Sequence, residues 1–177
     1  MRVLVIAGMP GSGKEEFVLV ARSLGFVIVH MGDVVRAEAA KRGVQSSDKG
    51  VGGFANAERQ ANGFGIWAKR CLPYIKNPRT IIDGSRGLDE LTVFRQALGE
   101  EVELVAIHAS QKVRYQRLVQ RGREDAPRTW EEFLERDKRE LSWGLGSLIA
   151  MADTMLVNEG RLEEFKCKAK EYLESRV

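Results

Sequence analysis

A glycine-rich segment near the start of the chain has the residue types and spacing needed to bind phosphate. Residues 8–14 read Gly-Met-Pro-Gly-Ser-Gly-Lys, a G-x-x-x-x-G-K pattern directly after the apolar run 3–7. Glycines let the backbone curl so that successive N–H groups point at one anion, and the next helix turns its positive end toward the same anion. The lysine adds a point charge for the outer phosphates. The residues expected to contact a nucleotide's phosphates are Gly8, Met9, Pro10, Gly11, Ser12, Gly13 and Lys14.

The position after Lys14 departs from this pattern. A serine or threonine there would offer Mg²⁺ a hydroxyl ligand, but the chain has Glu15 and then Glu16. A carboxylate about 4 Å from a phosphate charge costs about 1–4 kcal/mol, of which a helix dipole offsets about 0.3–1 kcal/mol. Three alternatives stay open: a glutamate binds Mg²⁺ itself, both turn away while Asp83 holds the metal through water, or nucleotide binding is weak. The first two are favoured jointly, with Glu15 and Asp83 as candidate metal ligands.

Hydrophobic periodicity predicts an α/β chain in which strands alternate with helices. The predicted strands are residues 3–7, 26–30, 80–83, 102–108 and 154–157, and the predicted helices are 14–24, 33–42, 89–98, 113–121, 129–141 and one closing the chain. Residues 43–65 are rich in glycine, which favours a mobile insert, with helix returning through about residue 74. This alternation predicts a three-layer fold, a five-stranded parallel sheet with helices on both faces.

Polar residues follow several of the predicted strands. Asp33, Asp83 and Ser110 all come just after an apolar run, as does the phosphate loop. In parallel sheets ligands bind at the carboxyl ends of the strands, so these residues should converge on one crevice. A carboxylate at the position of Asp83 holds Mg²⁺ in phosphate-loop proteins, directly or through water. His30 and His108 also lie in or beside strands and are interpreted as packed side chains.

Composition limits the class of protein. A chain of 177 residues fits one domain, and its net charge of +3 is too small to argue for nucleic acid. Two isolated cysteines make no disulfide framework, so a reducing cytoplasm is expected. No apolar stretch approaches the ~20 residues that span a bilayer. The sequence leaves the oligomeric state open.

The segment after the second strand resembles adenylate kinases. Those enzymes have Gly-Asp, two apolar residues and Arg at this place, and the chain matches at Gly32, Asp33 and Arg36. The resemblance implies that Arg36 binds the acceptor phosphate and that an acceptor-binding insert spans about residues 36–75. The run from Asp83 to Arg86 resembles their Asp-Gly-x-Pro-Arg with one residue fewer, which implies a second acceptor-side arginine at Arg86.

Residues 112–139 contain seven arginines, some of which resemble arginines of the adenylate kinase lid. Arg117 and Arg121 resemble the Arg-x-x-x-Arg that opens their lid, and Arg136 resembles an arginine on the helix that closes it. This implies a lid over about residues 117–140, with Arg117 on the nucleotide and Arg121, Arg123 and Arg136 clamping the charge that phosphoryl transfer spreads over oxygens. The alternative is a solvated helix laced with salt bridges, since acidic residues are interspersed.

The segment 152–160 resembles dephospho-coenzyme A kinases, whose corresponding loop lies against adenine, and this implies nucleotide contact at Asn158. The similarity covers nearly the whole chain and is closest to a group of archaeal nucleotide-kinase-like proteins. It implies a nucleoside monophosphate kinase-like fold that binds ATP and Mg²⁺ and phosphorylates a nucleotide or related metabolite. Asp33 would orient the acceptor, or take its proton if the acceptor is a hydroxyl. The alternatives are a nucleotide-binding regulatory protein or slow NTPase, and a nucleic-acid-linked ATPase, which the mild charge argues against.

Overall fold

The predicted parallel sheet is present. The computed structural model describes residues 2–45, 47–99, 101–122 and 126–176. Within them the strands are β1 (Arg2–Ala7), β2 (Val27–His30), β3 (Arg79–Asp83), β4 (Val102–His108) and β5 (Thr154–Val157). They pair in parallel in the order β2-β3-β1-β4-β5. The first strand is therefore central, and the phosphate loop that follows it opens at the middle of the sheet's carboxyl edge.

Helices cover both faces of this sheet. They are α1 (Lys14–Ser23), α2 (Met31–Lys41), α3 (Asp48–Asn62), α4 (Ile66–Cys71), α5 (Leu88–Leu98), α6 (Gln111–Arg121), α7 (Trp130–Ser142), α8 (Leu145–Ala150) and α9 (Leu162–Glu174), with a 3₁₀ turn at Leu72–Tyr74. Thr129 caps α7 as predicted, its hydroxyl accepting from the Glu132 amide at 3.2 Å. The short helix α8 was not predicted.

The insert between α2 and α4 differs from the expectation of a mobile glycine-rich segment. It contains the 15-residue helix α3, which Ser47 caps by accepting from the Gly50 amide at 3.2 Å. Phe54 packs edge-on against Trp67 with ring centroids 5.8 Å apart, and the Trp67 indole donates to the Ala55 carbonyl at 3.1 Å. Packing of the partly buried Phe54 on the fully buried Trp67 outweighs the low helix propensity of the glycines.

Two hydrophobic clusters hold the layers together. Alternate residues of β1 face opposite sides, so Leu4 belongs to one cluster and Val5 to the other. The first cluster joins the sheet to α1 and α9, and Phe17 and Phe165 are fully buried within it. The second, centred on the fully buried Trp67, joins the sheet to α2, α4, α5 and α8. None of the described helices is long and apolar enough to cross a membrane.

The C-terminal helix is tied to β4 through one carboxylate. Glu103 accepts from the Tyr172 hydroxyl at 2.6 Å, from Thr154 at 3.0 Å and from the Arg176 guanidinium at 3.0 Å. Burial alone would raise the pKa of Glu103, but these hydrogen bonds outweigh it and leave the pKa below its usual value of 4.5. The ionised carboxylate therefore stabilises the fold.

Candidate active site

The loop between β1 and α1 has the backbone shape that its glycines permit. Gly11 and Gly13 have φ angles of +80° and +107°, in the left-handed region that residues with a Cβ avoid. The Lys14 ammonium donates to the carbonyls of Gly8 at 2.5 Å and Met9 at 3.3 Å, so the side chain folds over the loop that it follows. Burial lowers the pKa of Lys14, an effect that Asp83 and then Glu140 oppose.

A buried arginine from α6 fixes one end of this loop. The Arg114 guanidinium donates to the carbonyls of Pro10 and Ala109, each at 3.1 Å. It also makes two parallel bonds to the Asp137 carboxylate of α7, at 2.8 and 2.5 Å, and both side chains are only 4% exposed. One guanidinium thus joins the phosphate loop to both helices of the predicted lid. Arg114 is structural here, in contrast to the phosphate-clamping role considered for the arginine run.

The buried Asn158 fixes the other end of the loop. Its amide donates to the Ser12 carbonyl at 2.9 Å, and a Cβ placed on Gly13 would lie 2.2 Å from the amide nitrogen. The Arg117 guanidinium donates to both oxygens of Asn158, at 3.0 and 3.1 Å. Only a glycine therefore fits at position 13, and Asn158 holds Arg117 close to the loop.

A cleft of about 180 Å³ opens above the phosphate loop. Its lining residues are Pro10, Gly11, Gly13, Lys14, Glu15, Asp83, Leu118, Arg121, Ala126 and Arg136. Besides residues of the loop itself, the cleft brings together four predicted site residues from α1, β3, α6 and α7, namely Glu15, Asp83, Arg121 and Arg136. The place of Asp83 agrees with the expected convergence of strand ends. Across this cleft the Arg121 guanidinium lies 3.3 Å from the Glu15 carboxylate. Glu15 therefore faces an arginine.

Among the described residues, His30 makes the one hydrogen bond to the Asp83 carboxylate. Its Oδ2 lies 3.0 Å from Nδ1 of His30, while its Oδ1 is buried and has no hydrogen-bond partner among the described residues. The hydrogen bond with Asp83 raises the pKa of His30, an effect that burial and the neighbouring Arg22 oppose. The unpartnered oxygen belongs to a residue that lines the cleft beside Lys14.

A second cleft, of about 360 Å³, adjoins the first. The residues that line it are Gly13, Glu16, Arg117, Gln120, Arg121, Asn158, Gly160 and Leu162. It brings together Arg117 and Asn158, the two residues that the resemblance implies on the nucleotide, and it is also lined by Glu16. Arg121 and Gly13 line both clefts, so the second cleft is a neighbour of the first along α1 and α6.

The residues predicted for the acceptor line neither cleft. Asp33 and Arg36 are exposed on α2 and pair with each other at 2.5 Å. Arg86 donates to Glu140 of α7 at 3.0 Å and lies 4.8 Å from the ring centre of Trp143. The remaining predicted site residue, Arg123, lies outside the described residues.

Three contributors were missed by sequence reasoning: His30, Asp137 and Glu140. Glu140 is buried on α7, and its charge opposes the lowering of the Lys14 pKa by burial. Asp137 and Glu140 lie three residues apart in a helix with many charged residues. Nothing in the sequence therefore distinguishes these two carboxylates from the solvent-exposed ones of the same helix. The signal for His30 is its place at the end of a strand beside Asp83, which becomes visible once β2 and β3 are known to pair.

Comparison with known proteins agrees with this geometry. Residues 7–133 match the family described as AAA domain. A UPF0200 protein of Thermoplasma acidophilum is 48% identical over 172 residues, which cover 97% of this chain and 94% of that protein. Among solved structures, a shikimate kinase from Bacteroides thetaiotaomicron matches with a TM-score of 0.67 and 16% identity, over 98% of both chains. A gluconokinase from Sinorhizobium meliloti matches with a TM-score of 0.59 and 15% identity, over 99% of this chain and 93% of that one. At these identities the structural matches establish the fold alone, and they confirm the expected phosphate-loop kinase architecture.

Proposed function

Because this chain belongs to the archaeal UPF0200 proteins and has the fold of phosphate-loop kinases, we infer that it transfers the γ-phosphoryl group of ATP to a small-molecule acceptor. One observation carries this proposal. The phosphate loop, a strand-end carboxylate and arginines from α6 and α7 all line a single cleft. This is the set of groups that phosphoryl transfer uses, since its catalysis depends on positioning and on neutralising charge.

The phosphate loop supplies the anion-binding part of the site. Its backbone N–H groups and the N-terminus of α1 attract the negative charge of a polyphosphate. Lys14 can exchange its bonds to the carbonyls of Gly8 and Met9 for bonds to phosphate oxygens, because all three belong to the same loop. The groove beside Arg117 and Asn158 offers room for the rest of the nucleotide.

The residues present fit a bound Mg²⁺. Oδ1 of Asp83 is buried and has no hydrogen-bond partner in the described part of the chain. It is a hard oxygen ligand of the kind Mg²⁺ takes, directly or through water. The described residues contain no group of three or more His, Cys, Asp or Glu side chains that could hold a metal, so phosphate oxygens and water would complete the coordination. When bound, Mg²⁺ neutralises charge on the transferring phosphates. The pairing of Glu15 with Arg121 supports the alternative in which Asp83, rather than Glu15, is the metal ligand.

Arginines from the two helices of the predicted lid would stabilise the transferred group. Arg121 and Arg136 line the cleft, and their guanidinium groups match the geometry of phosphoryl oxygens. Arg121 would leave Glu15 for the terminal phosphate group of the nucleotide, since that group carries more negative charge than a carboxylate. The closing of these side chains over the cleft would exclude water from the reaction.

The acceptor would approach from α2 and the loop after β3. Asp33 and Arg36 lie on the first turns of the helix that follows β2, and Arg86 follows β3, so all three belong to the carboxyl edge of the sheet. Arg36 and Arg86 would bind an acidic acceptor. Asp33 would orient it, and would take a proton only from a hydroxyl acceptor, because a phosphate acceptor needs no base.

A slow NTPase or nucleotide-binding regulator is the second candidate. The contact between Glu15 and Arg121 favours it, because both residues line the cleft and their opposite charges already pair with each other. If nucleotide binding does not displace Arg121 from Glu15, hydrolysis would be slow and independent of an acceptor.

Release of ADP from ATP and Mg²⁺ separates the two candidates. The acceptor panel would contain all nucleoside monophosphates, dephospho-coenzyme A, shikimate and gluconate, the last two because kinases of those names share this fold. We expect acceptor-dependent release that Lys14→Ala reduces by at least ~10²-fold, while the surface variant Lys170→Ala leaves it unchanged. Release without an acceptor would support the NTPase, and activity retained by Lys14→Ala would refute both.

Replacing Glu15 by serine tests the metal assignment. With Asp83 as the ligand, the Mg²⁺ concentration for half-maximal ADP release should fall or stay the same in Glu15→Ser, because the variant removes a negative charge and adds a hydroxyl ligand. The measurement is a Mg²⁺ titration at fixed ATP. A strongly raised Mg²⁺ requirement in Glu15→Ser would show that Glu15 itself binds the metal.

A further inference from the structure

His30 and Asp83 are opposite each other at the ends of two paired strands. They are register partners in the parallel pairing of β2 with β3. Nδ1 of His30 lies 3.0 Å from Oδ2 of Asp83, and Nε2 lies 3.2 Å from a guanidinium nitrogen of Arg22, at the end of α1. The imidazole thus lies between a cation on the surface and the carboxylate that lines the phosphate cleft.

The two contacts together fix where the imidazole proton lies. A guanidinium group only donates hydrogen bonds, so Nε2 of His30 must accept from Arg22. In a neutral imidazole the other nitrogen then carries the proton, and Nδ1 donates to Oδ2 of Asp83. Arg22 therefore selects the form of His30 that donates to the carboxylate.

The two oxygens of the Asp83 carboxylate have different environments. Oδ2 is taken by His30, whereas Oδ1 is buried without a hydrogen-bond partner among the described residues. Asp83 also lines the same cleft as Lys14, and its charge acts on that lysine. A carboxylate free to rotate could turn both oxygens to the lysine, and the bond to His30 prevents this rotation.

We propose that His30 is a positioning residue that holds the Asp83 carboxylate in the orientation needed by a Mg²⁺–nucleotide complex. This rests on the nucleotide binding in the proposed function, but not on phosphoryl transfer. Hydrogen-bonded partners behind a metal-binding carboxylate are worth about 10–100-fold in metal affinity. His30 would therefore affect how strongly Mg²⁺ enhances nucleotide binding, and would leave binding without Mg²⁺ nearly unchanged.

Calorimetric titration of ADP, with Mg²⁺ and with EDTA, measures this coupling directly. Two variants separate the hydrogen bond from the ring. The amide nitrogen of His30→Asn reaches about the position of Nδ1 and can still donate to Asp83, whereas His30→Leu cannot. We expect His30→Leu to lose at least about 10-fold of the Mg²⁺ enhancement, and His30→Asn to keep most of it. Arg22→Met, at an exposed position, should show a smaller loss, because the imidazole then loses the contact that selects its proton position.

Several results would overturn this role. One is an Mg²⁺ enhancement in His30→Leu within about twofold of the unmodified protein, and another is an equal loss in His30→Asn and His30→Leu. Absence of any ADP binding that depends on Lys14 would overturn it as well. Thermal unfolding of each variant shows whether the fold is intact, and if His30→Leu does not fold, an unchanged enhancement in Arg22→Met refutes the proposal. Failure of the proposed kinase function is seen separately, as Mg²⁺-coupled ADP binding with no acceptor-dependent turnover.

Discussion

Removing the charge of Asp137 should destabilise the protein severely. In Asp137→Asn, Arg114 keeps its positive charge in a site where both side chains are 4% exposed, and the facing amide group cannot accept both guanidinium bonds. Two charge-assisted bonds of 2.8 and 2.5 Å are weakened or lost, at about 1.5–3 kcal/mol each. Removing one partner of a buried ion pair typically costs about 3–5 kcal/mol. We therefore expect the free energy of unfolding of Asp137→Asn to be lower by about 3 kcal/mol or more.

Urea unfolding, followed by circular dichroism, gives the free energy of unfolding for comparison. The matched control is Glu174→Gln, which removes one carboxylate charge from an exposed pair with Lys170 whose atoms are 3.7 Å apart. The free energy of unfolding of Glu174→Gln should stay within about 0.5 kcal/mol of that of the unmodified protein. The double variant Arg114→Met/Asp137→Leu should be more stable than Asp137→Asn, because it leaves no unpaired charge in the interior. A loss below about 1 kcal/mol in Asp137→Asn would refute the reasoning that this pair carries the attachment of α7 to the phosphate loop.

Two further predictions follow from groups far from the cleft. Burial raises the pKa of the Cys71 thiol to about 12, while Cys167 is exposed, so a thiol reagent at pH 8 should label one cysteine in the native protein and the second only in denaturant. Fast labelling of both would contradict the burial. Glu103→Gln should lower the melting temperature at pH 7, since the lowered pKa of Glu103 contributes stability above about pH 4.5 that is lost as the pH falls through the folded value. The gap in melting temperature between Glu103→Gln and the unmodified protein should therefore narrow below that pH, and a gap that widens on acidification would show the sign to be wrong.

The sequence predicted the parts of this molecule that rest on local patterns. Alternating apolar runs and the capping signal at Thr129 identified the strands and most helices within a few residues, because burial on one face imposes a period. The helix α3 was missed because the glycine content of a segment indicates only its helix propensity in isolation. Contacts such as that of Phe54 with Trp67 form only in the folded protein. Tertiary burial of this kind outweighs propensity.

The site shows the same division. The phosphate loop and Asp83 were identifiable because their chemistry depends on a short motif or on a strand end. The role of His30 depends on which strands are neighbours in the sheet, and that of Arg114 depends on which face of α6 is buried. Neither the order of the strands in the sheet nor this buried face was predicted from the sequence. Arg114 and Arg121 belong to one run of arginines, yet the first is a buried anchor and the second lines the cleft. Their spacing gave no means to tell them apart.

The two anchors of the phosphate loop bear on how the protein folds. The carbonyl of Pro10 is held by a side chain 104 residues later in the chain, and that of Ser12 by one 146 residues later. The loop therefore cannot reach its final shape until α6 and the residue that follows β5 have joined the sheet, although both are far from the loop in sequence. Nucleotide binding should consequently appear late in refolding, with the latest cooperative step, and amide hydrogen exchange in the loop should follow that of α7 as one unit.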